Sequence, residues 1–208
     1  MACPDSDAAD AQKKSLIATE QDAARRAAWQ AEQPTFTPNE LVFLDETSTQ
    51  TNLTRTHGRA PKGERLVAAT PRNHGPNLTC LAALTATGMG PSLVFEGALD
   101  GAIFTQWITE KLVPILRPSQ TVILDNLSVH KVVAAREAIE AAGCQLRFLP
   151  AYSPDFNPIE QIFSRLKAHL RSIGARTFPA LTTAIGDALN AVTAPQALAT
   201  FRHAGYGQ

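Results

Sequence analysis

TVILDNLSVHKVVAAREAIEAAGCQLRFLPAYSPDFNPIEQIFSRLK, residues 121–167, alternates twice between a short apolar run and a longer helical pattern. TVILD (121–125) reads as a buried strand, and HKVVAAREAIEAA (130–142) as a helix stopped by Gly143. QLRFL (145–149) reads as a second strand. A helix follows it, with Ile159, Ile162, Phe163, Leu166, Leu170 and Ile173 at the spacing of one buried stripe. Strand, helix, strand and helix in this order predict parallel strands joined by right-handed crossovers.

Upstream, LVFLDE (41–46) reads as a strand and 47–77 as a polar excursion. LTCLAALT (78–85) and SLVFE (92–96) form a hairpin across Thr87 to Pro91. AIFTQWITEKLVPIL (102–116) is a helix whose last turn Pro114 disturbs. Two helical stretches, near 179–192 and 195–204, close the chain. The expected fold class is α/β, a mixed sheet flanked by helices. Residues 8–32 hold only Leu16, Ile17 and Trp29 as larger apolar groups, and Pro34 and Pro38 end the stretch. Residues 1–36 are therefore expected to be a polar helical linker outside the core, ahead of one domain over 37–208.

With 208 residues, 44% of them hydrophobic, the chain can bury one substantial core. Lys+Arg and Asp+Glu number 19 each, but residues 1–50 carry nine acids and four bases while 51–208 carry ten acids and fifteen bases. Arg165, Lys167, Arg171 and Arg176 have no acid among them, and Arg55, Arg59, Lys62, Arg65 and Arg72 oppose only Glu64. Such clusters suit phosphates, although a charge run is more often a solvated face. Cys3, Cys80 and Cys144 show no paired spacing, which indicates neither a disulfide framework nor a zinc site and fits a reducing cytoplasm. No apolar run approaches the length of a membrane span.

Two strands end in aspartate, Asp45 and Asp125. Parallel neighbours would bring those ends together at one sheet edge, about 4.8 Å apart, where two carboxylates can share a divalent ion. Glu46 points to the other face and reads as a supporting group. Glu160 begins the next helix at the same edge, with Ser164, Lys167 and Arg171 continuing one polar stripe. Each residue also has a plain structural reading. Asn157, Pro158 and Glu160 match a helix cap, first position and capping box, and Asn126 and His130 suit a turn and a helix start.

LVFLDET, GRAPKGERL, ILDNLSVHK and LPAYSPDFNPIEQIFSRLK together resemble the catalytic domain of IS630-family transposases, in the Tc1/mariner group, over about residues 36–205. Thirty-four residues lie between Asp125 and Glu160, the spacing typical of that group. The resemblance implies an RNase H-like fold and a metal triad of Asp45, Asp125 and Glu160; Glu46, Asn126 and His130 are the candidate supporting groups behind it. It implies two Mg2+ or Mn2+ ions, Asp45 bridging them, Asp125 holding one and Glu160 the other. The reactions implied are hydrolysis at transposon ends and joining of the 3′-hydroxyl to target DNA, usually at TA. Residues 47–77 resemble a clamp or substrate-contacting loop, and Arg55, Arg59, Lys62, Arg65, Lys167 and Arg171 are the expected DNA contacts.

Relatives carry N-terminal helix-turn-helix modules that this sequence lacks. The expectation is a homodimer, or a part that works with a separately encoded helix-turn-helix partner, acting on DNA at the nucleoid. A stand-alone RNase H-like nuclease or resolvase, and a non-catalytic remnant that binds DNA or dimerises, are the competing readings. A dehalogenase-type phosphatase would need Asp where Thr47 stands, a P-loop would need Lys at Glu64, and no G-x-S-x-G elbow occurs.

Overall fold

The computed structural model describes residues 18–127 and 130–207. The elements run α1 (Ala23–Glu32), β1 (Leu41–Thr49), β2 (Leu78–Thr85), β3 (Gly88–Glu96), α2 (Gly101–Trp107), β4 (Thr121–Leu124), α3 (Val133–Ala141), β5 (Gln145–Phe148), α4 (Ile159–Ile173), α5 (Phe178–Asn190) and α6 (Ala194–His203). The five strands form one sheet in the order β3-β2-β1-β4-β5, with β1 antiparallel to β2, β2 antiparallel to β3, and β1, β4 and β5 parallel. This is the expected mixed sheet.

Side-chain alternation on β1 divides the core. Leu41 and Phe43 pack with Ile162, Phe163 and Leu166 of α4 and with residues of α5 and α6. Val42 and Leu44 face the other way, towards Phe104 and Trp107 of α2 and Ile139 of α3. Both faces of β1 are covered, so the run LVFL reads as continuous apolar sequence.

Several boundaries differ from the sequence reading for local reasons. β1 continues through Thr49, paired with Leu78, so the excursion is 50–77 rather than 47–77. β3 starts at Gly88, whose φ of +131° closes a tight turn after Thr85. Pro91 therefore lies inside β3, tolerated because β3 is an edge strand and the ladder shifts between Ala82 and Leu84. The helix expected over 102–116 is α-helical only to Trp107. A π-helical turn (Ile108–Leu112) and a 3-10 turn (Val113–Ile115) follow, as expected where Pro114 supplies no N–H. Gly143, at φ +74°, ends α3 as anticipated.

The polar N-terminal stretch needs a larger correction. α1 belongs to the packed body, because Trp29 is only 5% exposed and joins the core. Its indole N–H donates to the Tyr206 hydroxyl (3.0 Å), which in turn donates to the Phe156 carbonyl (2.9 Å). Arg26 forks onto Asp155 at 2.9 and 2.7 Å, Arg147 pairs with Glu32, and Gln33 donates to the Ala204 carbonyl (2.7 Å). An aromatic anchor, two ion pairs and a side-chain amide thus hold a helix that composition alone marks as solvated. The part of the polar stretch before residue 18 lies outside the described residues.

Truncating Trp29 removes both the anchor and a buried donor. Trp29→Ala is expected to lower unfolding stability in urea by about 3–5 kcal/mol, and Tyr206→Phe, which breaks the relay to Phe156, by about 1–3 kcal/mol. A Trp29→Ala protein as stable as wild type would mean that α1 is not part of the body.

Candidate active site

The parallel register of β1 and β4 pairs Val42 with Val122 and Phe43 with Ile123. Continued two residues, it sets Asp45 beside Asp125 just past the last β1–β4 pair; Asp125 directly follows β4, but Asp45 lies midway along β1 rather than ending it as the sequence suggested, because β1 goes on pairing with β2 to Thr49. Asp45 falls on the Leu41 and Phe43 face, which α4 covers, and Glu160 occupies the first turn of α4. Asp45, Asp125 and Glu160 thus line one cavity of about 380 Å³, together with Asn126 and Asn157.

The surroundings of the three carboxylates are unequal. Asp45 is 6% exposed, with Oδ1 accepting from the Glu46 N–H (2.8 Å) and Oδ2 from the Asn157 side-chain amide (2.9 Å). Burial first, and then the charges of Glu160, Asp125 and Glu46, hold its carboxyl well above the ordinary range, while the Glu46 N–H acts the other way. Glu160 is also raised, by burial and by Asp125 and Glu46, with Lys167 opposing the shift. Asp125 Oδ1 accepts from the Leu127 N–H (3.2 Å) and from His130.

His130 is fully buried between two acids. Its Nδ1 lies 2.6 Å from Asp125 Oδ1 and its Nε2 lies 2.9 Å from Glu46 Oε2, while the ring packs on Phe104 with centroids 5.0 Å apart. Burial works against its charge, but the two carboxylates outweigh that and push its pKa up to about 9. Both ring nitrogens then donate, which fixes the orientation of Asp125 from behind. Glu46, aimed away from Asp45 as alternation requires, is the far end of this chain. Asn126 lines the cavity.

The capping question at α4 now has a structural answer. Asn157 has the extended backbone of a cap (φ −104°, ψ 103°), but no side chain caps this helix. The Asn157 amide is turned onto Asp45 instead, leaving its buried Oδ1 without a partner among the described residues. Glu160 is therefore not half of a capping box. The sequence reading missed the contact of Asn157 with Asp45, and no local signal could have exposed it, because a cap and an amide donor call for the same residue.

The expected basic contacts are dispersed. Lys167 is near enough to Glu160 to act on its charge. Arg55 and Arg171 line one cavity of about 500 Å³, with His57 and Arg176. Arg176 donates to the carbonyls of Thr51 and Leu53, both at 2.8 Å, and so holds the base of the excursion. Arg59, Lys62 and Arg65 lie exposed along the excursion and line neither of these cavities.

Three oxygen donors without a thiolate suit a hard divalent cation such as Mg2+ or Mn2+. The mutual charge that raises Asp45 and Glu160 is also what a cation would relieve. Among the described residues no three His, Cys, Asp or Glu side chains are already drawn together as a ligand set. The donor chemistry fits the ion, with the carboxylates more widely spaced than a closed ligand shell.

A raised carboxyl pKa makes the folded state bind more protons than the unfolded state. Stability then falls as pH rises from 4.5, the ordinary value for Glu160, through the raised one. With chelator at neutral pH, Glu160→Gln and Glu160→Ala are both expected to melt at or above the wild-type temperature, an advantage that fades towards pH 4.5. Loss of about 0.5–2 kcal/mol in the Ala variant alone would restore the capping role.

A family model described as DDE superfamily endonuclease matches residues 40–182. No curated protein matches the sequence. Among solved structures, the Mos1 transposase paired-end complex with the left transposon end superposes with a TM-score of 0.72 at 14% identity, covering 95% of this chain and 64% of that one. A structure of the Mos1 transposase catalytic domain with raltegravir and magnesium gives 0.67 at 13% identity, covering 92% of each chain. The Mos1 mariner catalytic domain alone gives 0.62 at 12% identity, covering 93% of this chain and 91% of that one. At such identities the likeness establishes the RNase H-like fold, and the chain spans less than two thirds of the longer Mos1 chain. Because the family model matches well over half of the sequence, including Asp45, Asp125 and Glu160, the chain belongs to the DDE superfamily endonucleases.

Proposed function

We propose that this chain is the catalytic part of a DNA transposase of the IS630 type, which cuts phosphodiesters at transposon ends and transfers the strand to target DNA. The observation that carries the reading is the meeting of Asp45, Asp125 and Glu160 in one cavity at the carboxyl edge of the sheet. The Mos1 structures support it, being transposase complexes with transposon DNA, some solved with Mg or Mn. Residues 37–208 are the catalytic unit in this reading, with α1 docked on it and 50–77 as the arm that meets DNA. The chain would act as a homodimer or with a separately encoded helix-turn-helix part, which would choose the DNA ends.

Two divalent ions held by Asp45, Asp125 and Glu160 would activate the attacking hydroxyl and neutralise the leaving oxygen. The protein's own contribution is to hold those carboxylates in place and aimed. The Asn157 amide and the Glu46 N–H fix both oxygens of Asp45, and His130 fixes Oδ1 of Asp125. Leu149, buried behind the site, limits water on that side. Lys167 and the Arg55 and Arg171 cavity would hold phosphates away from the scissile bond, as point charges without base readout. Among the described residues no helix is long and apolar enough to cross a membrane.

Nicking of supercoiled DNA should require Mg2+ or Mn2+ and vanish in Asp45→Asn, Asp125→Asn and Glu160→Gln proteins that still fold. His130→Ala should weaken Mn2+ binding about 10–100-fold, the usual cost of losing a hydrogen-bond partner behind a ligand. Full metal-dependent nicking by any of the three carboxylate variants would remove that residue from the site.

DNA binding by the chain alone should show little sequence preference and weaken steeply with salt. Arg55→Ala with Arg171→Ala should reduce the log–log salt slope by about 0.9 for each phosphate that is no longer neutralised. An unchanged slope would place the DNA elsewhere.

A further inference from the structure

The Asn157 amide that donates to Asp45 is held at one end only. The residue is 3% exposed, its Nδ2 lies 2.9 Å from Asp45 Oδ2, and its Oδ1 has no partner among the described residues. A carboxamide held through both polar atoms is fixed by its side chain, whereas one held through a single atom takes its aim from the backbone that carries it. That backbone is the 3-10 turn Pro154–Phe156, which the Asn157 N–H closes by donating to the Pro154 carbonyl (3.0 Å). With one further bond, from the Phe156 N–H to the Ser153 carbonyl (3.1 Å), the turn is too short to fix its own geometry.

α1 fixes it from outside. Arg26 forks onto both oxygens of Asp155, at 2.9 and 2.7 Å, and its guanidinium lies over the Phe156 ring, 4.2 Å from the centroid. One planar group thus grips the two successive residues that lead into Asn157. The Asp155 side chain is 55% exposed, so the pair adds little to stability. What a bidentate fork supplies at such a place is orientation. α1 carries a second ion pair, between Glu32 and Arg147, but that pair anchors it to β5 rather than to the turn. Two ion pairs therefore tie down one helix, and one of them meets the segment that aims Asn157.

We propose that Arg26 is a positioning residue for the carboxylate site, acting through Asp155 and the turn to aim the Asn157 amide at Asp45. The inference rests on the metal-dependent reading above and extends its supporting shell to α1. With the fork in place, Asp45 Oδ2 has a fixed donor and the carboxylate presents one orientation to a divalent ion. Without it the turn relaxes, the amide wanders, and the ion meets a carboxylate that must first be ordered.

The test uses the full chain, with Mn2+ alone as the probe. Affinity is read from the electron paramagnetic resonance of the free ion, well below the melting temperature of every variant. Losing the group that touches a ligand, as in Asn157→Ala, should weaken binding about 10–100-fold, and Arg26→Ala or Asp155→Asn, one step further out, roughly three- to tenfold. Arg26→Lys keeps the charge but not the fork, so it should resemble Ala more than wild type. Glu32→Gln, which cuts the other ion pair of α1, should bind Mn2+ as wild type does. Arg26→Ala added to Asn157→Ala should weaken binding no further, since its route to the ion is already cut. In nicking, Arg26→Ala should lower kcat and leave KM for DNA near the wild-type value.

Additive losses for Arg26 and Asn157, or equal losses in Arg26→Ala and Glu32→Gln, would make Arg26 a support of α1 alone and overturn the proposal. Should Asn157→Ala fail to fold, that second comparison carries the test. A wild type that binds no Mn2+ would defeat the metal reading instead, and hydrogen exchange of the Asn157 side-chain amide then decides. Exchange should be slow in wild type and Glu32→Gln and faster in Arg26→Ala and Asp155→Asn. Equal exchange in all four proteins would reject the positioning role.

Discussion

The carboxylate of Asp45 is buried midway along the central strand, close enough to Glu160, Asp125 and Glu46 for each to raise its proton affinity. An arrangement of like charges in a poorly solvated place opposes folding unless hydrogen bonds or a cation offset it. Much of the local structure answers this constraint. Asn157 leaves its capping role to donate to Asp45, the Glu46 N–H closes on the other oxygen, and His130 sits charged between Asp125 and Glu46. These hydrogen bonds hold the acids in place without neutralising the cluster. In the proposed function the remaining charge is what would attract a divalent ion.

The same constraint explains the division of work across the sheet. The α4 face carries Asp45 and Glu160, so the carboxylates from strand and helix meet there. The opposite face carries Glu46 and the His130 ring packed on Phe104, so the support is built into the core between β1 and α2. A strand buried on both faces can supply a ligand and a supporting group from adjacent residues. The parallel partner β4, in register, sets a second aspartate beside the first.

The parts legible in the sequence were those encoded by period and end point. The apolar runs LVFL and TVIL are each followed by an aspartate, the α/β alternation makes them parallel, and the apolar stripe of α4 fixes which face Glu160 joins. Other features were hidden because they depend on distant partners. Trp29 docks on Tyr206, 177 positions away, so the polar composition around it said nothing about burial. His130 reaches Glu46 across 84 positions, and Asn157 reaches Asp45 across 112. The excursion was legible as polar but not in its start, because the pairing of Thr49 with Leu78 extends β1 through residues that read as turn formers. The resemblance to IS630-type catalytic domains supplied the roles for which spacing alone left a structural alternative.

The central claim is that the like-charged carboxylates at the sheet edge exist to hold divalent cations. Anomalous diffraction from crystals soaked in Mn2+ tests it most directly, because it locates the ion without relying on activity. The expected result is anomalous density between Asp45 and Asp125 or between Asp45 and Glu160, with the carboxylates drawn inward and His130 still bound to Asp125. Mn2+ found only elsewhere, or a cavity free of anomalous density at saturating Mn2+ with Asp45 unmoved, would contradict it.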